Sequence, residues 1–155
     1  MVGSPDPHWL NVTADDMKAA AVKQLQDGEP VWFGCDVGQS SDRKSGVMDT
    51  DLYDMATLVG VDFTMDKRQR IMTRESAATH AMTLAGVDVI DGKPVRWKVE
   101  NSWGDENGQK GYFVMTDPWF DEYTFEVVAN KKYLSEDIAK LYETEPEVLP
   151  YYLPF

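Results

Sequence analysis

The stretch RWKVENSWGDENGQKGYF, residues 96–113, decides the fold. It opens as a strand: Val95, Trp97 and Val99 fall on one side and Arg96, Lys98 and Glu100 on the other, the period-two pattern of a sheet with one buried face. Alternation then stops. Asn101, Ser102 and Trp103 lead into a polar run punctuated by Gly104, Gly108 and Gly111, a composition that turns a chain. GYFVMT at 111–116 returns to the strand pattern.

Working upstream, THAMTLAGVDVI at 79–90 alternates weakly, and DGKP at 91–94 has the chemistry of a tight turn, so the two runs read as a hairpin. That pairing puts His80 and Asn101 at the same end of the ladder, within side-chain reach. An amide facing an imidazole fixes which ring nitrogen carries the proton. Taken alone, a strand histidine is more often a satisfied structural residue than a catalytic one.

Working downstream, YTFEVVA at 123–129 adds a strand after the short polar and aromatic segment DPWFDE. SEDIAKLYE, with Ser135 as cap, reads as a last helix before the proline-punctuated tail EPEVLPYYLPF. The first half has helical spacing instead. TADDMKAAAVKQLQDG reads as a helix capped by Thr13, with Asp15 and Asp16 in its first turn and Gly28 past its end. PVWFGCDV is a short buried strand, GQSSDRKSGVMDTD a loop, and LYDMATLVG and MDKRQRIMTRES two short helices. The expected organisation is a single unit: a helical and loop part over 1–78, an antiparallel sheet over 79–130, and a helix with its tail over 131–155.

Composition narrows the function classes. The 155 residues include five Trp, seven Tyr and six Phe, and 43% are hydrophobic, enough for a sizeable core. Twenty-seven acidic against fifteen basic side chains give a net charge of −12, which repels phosphate backbones and anionic lipid. Neither nucleic acid nor membrane is an expected partner. Lys67, Arg68, Arg70 and Arg74 form the one basic cluster, expected to be a solvated helix face. No window approaches the roughly 18 apolar residues of a membrane span. MVGSPDPHWL lacks the basic and apolar regions of a signal peptide, and the expected compartment is the cytoplasm.

The sequence offers few reactive groups. Cys35 is the single cysteine, which rules out an intramolecular disulfide. It sits among Trp32, Phe33 and Val37 with Asp36 beside it, surroundings that raise a thiol pKa, so it is expected to be structural. His8 reads as an exposed loop residue. Asp49, Asp51 and Asp54 have spacing that suits a cation, but they miss the EF-hand pattern and are expected to serve the loop and a helix cap. Two distant histidines and one cysteine make a zinc site improbable, and no P-loop or dinucleotide fingerprint is present.

NSWG followed by DENGQKGY resembles the asparagine region of papain-like cysteine peptidases. EPVWFGCDVG, MDTDLYD, THAMTLAGV, RWKVENSWG and KGYFVMTDPWFDEY, in that order, resemble more closely the C-terminal part of the bleomycin hydrolase and bacterial aminopeptidase C family, over about residues 2–150. The resemblance implies an α+β fold: the antiparallel, β-rich C-terminal portion of a papain-like cysteine proteinase fold with flanking helices. It implies that His80 is general base and imidazolium partner of a thiolate, Asn101 its orienting residue, and Trp103 the shield over their hydrogen bond.

It implies aminopeptidase activity on peptide substrates, no cofactor, and homo-hexameric assembly of the full-length enzymes. The family's Gln–Gly–x–Cys–Trp type nucleophile motif and its oxyanion Gln do not occur in these residues. The nucleophile is therefore expected in an N-terminal, Cys-bearing portion preceding Met1, and the chain alone is expected to be inactive. In the family the terminal carboxylate pairs with the substrate amino group, a role that would fall to Phe155. The tail LPYYLPF departs from the family pattern, and an endopeptidase-like relative is the alternative there. For the chain as a whole, the alternative is a non-catalytic binding or assembly module that keeps the fold.

Overall fold

The structure, a computed structural model, describes residues 8–62 and 64–149. A seven-stranded sheet organises it. In chain order the strands are β1 (Val31–Cys35), β2 (Ser41–Asp42), β3 (Val47–Met48), β4 (His80–Ile90), β5 (Lys93–Glu100), β6 (Tyr112–Thr116) and β7 (Thr124–Val128). Across the sheet they run β2-β3-β6-β5-β4-β1-β7. Every neighbouring pair is antiparallel except β3 with β6, which is parallel.

The hairpin read from the sequence forms. Asp91 and Gly92 both have positive φ, 51° and 78°, as a two-residue turn between right-twisted strands requires. Ile90 pairs with Lys93, and the register shifts once between Asp88 and Val89 and back between Leu84 and Gly86. Pro94 lies at the first shift, where its missing N–H does least harm. The two shifts cancel, so Thr83 faces Glu100. Continuing that register three residues would bring His80 opposite position 103.

The sheet is not confined to residues 79–130, because three strands of the first 78 residues join it. VWFGC is buried at four of its five positions and inserts between β4 and β7, the continuous apolar run suiting a central strand. DPWFDE forms part of a helix, α4 (Asp117–Tyr123), with Pro118 in its first turn, where a missing N–H costs nothing. The other helices are α1 (Ala14–Gln26), α2 (Met55–Val59), α3 (Lys67–Thr73) and α5 (Glu136–Tyr142), with a 3-10 turn at Lys131–Tyr133. Thr13 and Asp16 form a capping box at the start of α1, and Ser135 caps α5 by accepting from the Ile138 N–H.

The core lies on one face of the sheet. Val31, Phe33 and Cys35 of β1, Met82 and Leu84 of β4, Trp97 and Val99 of β5, and Phe113 and Met115 of β6 are buried there with Trp119 and Phe120 of α4. Trp97 stacks on Phe120 at 4.9 Å between centroids and donates its indole N–H to Asp117. Lys18 of α1 reaches Asp117 and Asp121 of α4, each at 2.8 Å. Burial alone would lower the Lys18 pKa, but those two carboxylates outweigh it and hold it above the usual value.

Candidate active site

His80 begins β4, and on the same face of the sheet as Met82 and Leu84 it lies at the edge of the core, partly buried. Asn101 follows the last residue of β5, and its backbone N–H donates to the Gly111 carbonyl, which closes the neck of the polar loop. Its Oδ1 accepts the Ser102 N–H at 2.8 Å, so that atom is the carbonyl oxygen. The same Oδ1 lies 2.9 Å from His80 Nε2, and an acceptor there requires Nε2 to carry the proton. The neutral ring therefore has its lone pair at Nδ1, free to accept a proton from a nucleophile. Asn101 Nδ2 is buried with no partner among the described residues.

Trp103 covers this pair. Its ring stacks on His80 at 4.9 Å and 29° and meets Phe113 edge-on at 6.0 Å. A low-dielectric cover strengthens the hydrogen bond beneath it. The glycine-rich run returns the chain to β6. Gly108 has φ +59°, and a Cβ there would sit 2.4 Å from the Tyr112 carbonyl oxygen, so no other residue fits the return.

A buried carboxylate supports the approach to His80. Asp36 follows β1 and accepts from Ser76 Oγ at 2.8 Å, Thr79 Oγ1 at 3.2 Å and Gln39 Nε2 at 3.3 Å. Thr79 also donates its N–H to the Cys35 carbonyl, so the residue before His80 is held on both backbone and side chain. The sequence marks Asp36 only as a neighbour of Cys35, and Ser76 and Thr79 carry no motif. The one available signal was that Thr79 directly precedes His80.

Cys35 is the direct cross-strand partner of His80, and opposite residues in an antiparallel pair share a face. Its thiol is nonetheless fully buried and pushed up to about 12, by loss of solvent first and by the Asp36 charge second. The structural reading of Cys35 matches these surroundings.

Other groups singled out in the sequence lie elsewhere. His8 is exposed and meets Tyr142 edge-on. Asp49 accepts the Asp51 N–H, and Asp54 caps α2 through Thr57. The basic cluster departs from expectation. Arg68 and Arg74 are exposed, but Arg70 is buried, bonded to Glu122 and to the Met65 carbonyl, and stacked over Tyr123. Lys67 donates to the carbonyls of Asp121 and Thr124. The i, i+3 spacing of Lys67 and Arg70 puts both on the face of α3 that meets the acidic, carbonyl-rich end of α4. Phe155 lies outside the described residues.

The Peptidase C1-like family profile matches residues 1–155. Aminopeptidase C of Streptococcus thermophilus is 48% identical over 150 residues, which cover 96% of this chain and 34% of that protein. Aminopeptidase C of Lactococcus lactis subsp. cremoris is 50% identical with the same coverage. The crystal structure of PepW from Lactobacillus rhamnosis superposes with a TM-score of 0.87 at 52% identity, covering 94% of this chain and 33% of that one. The chain thus spans about a third of the length of these relatives. Its α+β fold is papain-like, and the chain belongs to the Peptidase C1-like family.

Proposed function

We propose that this chain supplies the imidazole and amide side of a cysteine aminopeptidase site of the bleomycin hydrolase kind. One observation carries the reading: His80 Nε2 bonded to Asn101 Oδ1 at 2.9 Å beneath the Trp103 ring. In the reaction His80 pairs through Nδ1 with a thiolate. The thiolate attacks the peptide carbonyl carbon, the imidazolium Nδ1–H protonates the departing amine, and the ring then takes a proton from the water that releases the acyl group. Asn101 holds one ring orientation throughout.

Cys35 is a poor candidate for that thiolate, being buried and pushed up to about 12. The nucleophile is assigned to polypeptide of the longer relatives that this chain does not span. The working enzyme on this reading is a cytoplasmic hexamer that cleaves at the N-termini of peptides, and this chain alone is inactive. A second reading, a non-catalytic assembly module, draws on α2 and α3, where Leu58 and Met72 are 74% and 73% exposed. Such apolar surface commonly marks a contact.

The two readings separate in one experiment. The chain is mixed with the remaining two thirds of an aminopeptidase C relative, and release from an aminoacyl-p-nitroanilide is followed alongside light scattering. The expected result is no cleavage by the chain alone, consistent with a loss on the order of 10⁶ for a missing nucleophile, and cleavage on mixing that disappears with His80→Ala. Association without cleavage would refute the catalytic reading and favour the assembly one.

A further inference from the structure

Trp103 touches a third side chain. The Arg43 guanidinium carbon lies 4.7 Å from its ring centroid, in addition to the stack on His80 and the edge contact with Phe113. Arg43 comes from the loop between β2 and β3, and its own Nε donates to Asn107 Oδ1 at 2.6 Å. Asn107 is buried, and its Nδ2 donates to the Trp103 carbonyl at 2.6 Å. The Arg43 carbonyl accepts the Gly108 N–H at 3.1 Å. Arg43 therefore holds Trp103 twice: directly by its guanidinium against the ring, and through Asn107 by the backbone of the same residue.

We infer that Arg43 is a positioning residue that keeps Trp103 stacked on His80. The catalytic meaning of this contact rests on the reading of His80 given above, whereas the contact itself does not. Phe113 meets the indole in a T-shaped contact, whereas Arg43 lies over the ring and also bonds the turn that carries it. The residue type matters. A guanidinium can lie against an aromatic ring while its Nε–H points along the plane to an acceptor, and an ammonium offers the charge without that planar fork.

The chain has only two histidines, which makes the test direct. In the proton–carbon spectrum of the full chain, His80→Ala assigns the two sets of imidazole signals. The His80 ring protons should be displaced upfield of those of His8 by the Trp103 ring current, and Trp103→Ala should abolish that displacement. Arg43→Ala should lose most of it, with the fold checked by circular dichroism. Arg43→Lys should keep part of it, and Arg43→Gln, with an amide in place of the guanidinium, should keep less.

If Arg43→Ala and Arg43→Gln leave the His80 displacement at the wild-type value while Trp103→Ala removes it, the indole is held without Arg43 and the inference fails. No displacement in the wild type would overturn the stack itself. In the enzyme reconstituted by mixing, Arg43→Ala should lower kcat more than it changes KM. Association on mixing with no cleavage even for the wild type, with the ring-current result intact, would refute the catalytic reading and leave the positioning one standing.

Discussion

The sharpest prediction concerns Cys35, since a thiol opposite His80 on the same sheet face is the obvious rival nucleophile. Burial and Asp36 push its pKa to about 12. Against an ordinary thiol near 8.5, the thiolate fraction at pH 8 is then lower on the order of a thousandfold. Cys35 is also fully buried, so a reagent reaches it only when the chain opens. For a domain stable by about 5 kcal/mol, global opening alone slows labelling by roughly 10³ to 10⁴.

The sign of the linkage agrees. The folded state keeps the thiol proton to higher pH than the unfolded chain does, so stability from this group is complete below the unfolded pKa. It is lost as pH rises from there towards about 12. The assay is iodoacetamide labelling between pH 6 and 9, read by intact mass, with and without urea. Labelling is expected to be negligible in buffer and to appear with the unfolding transition, unchanged by His80→Ala in native buffer. Rapid labelling near pH 6 that disappears in His80→Ala would refute the reasoning, because it would require a Cys35 thiolate paired with that imidazole.

Two further predictions concern the turn after Asn101 and the contact between α3 and α4. Gly108→Ala places a Cβ 2.4 Å from the Tyr112 carbonyl at φ +59° and should destabilise the chain by roughly 2–4 kcal/mol, lowering Tm by about 6–12 °C; a melt within a degree of wild type would contradict the turn geometry. Lys67 is pulled down to about 8 by burial first; attraction to Asp121 opposes the shift, and repulsion from Arg70 and Lys18 adds to it. The unfolded chain binds the extra proton between about 8 and 10.5, so stability from this group rises over that window. Wild type should therefore gain on the order of 1 kcal/mol relative to Lys67→Met between pH 7 and 10, measured by urea unfolding, and a gap that stays constant would sink the assignment.

Much of the fold was legible because period and punctuation agree in it. The alternation of Val95, Trp97 and Val99 predicts a buried face, and all of it but half-buried Val95 is deeply buried. Thr13, Ser135 and Gly60 mark helix ends where the structure has them. What escaped depended on contacts between distant segments. VWFGC reads as a strand, but nothing local says that it pairs with both β4 and β7. DPWFDE lies between two strands as its place in the sequence indicates, but nothing local says that Trp119 and Phe120 are fully buried, which about two turns of helix achieve as Phe120 stacks on Trp97.

The site divides along the same line. His80 and Asn101 could be placed together because a hairpin converts sequence separation into proximity by counting, and even two register shifts leave the count intact since they cancel. The register itself points His80 at position 103, and the pairing with Asn101 arises because the chain leaves the strand after Glu100 and turns its amide back. That turn is held from outside the hairpin. Arg43 and Asn107 are 64 residues apart, and Asp36 and Thr79 are 43 apart, with no period or spacing rule linking either pair. A histidine and its amide are thus readable from one hairpin, but Arg43 and Asp36, which brace the imidazole's surroundings, come from loops before it in the chain, where Gly, Ser and Asp look alike whether they only turn the backbone or brace a reactive ring.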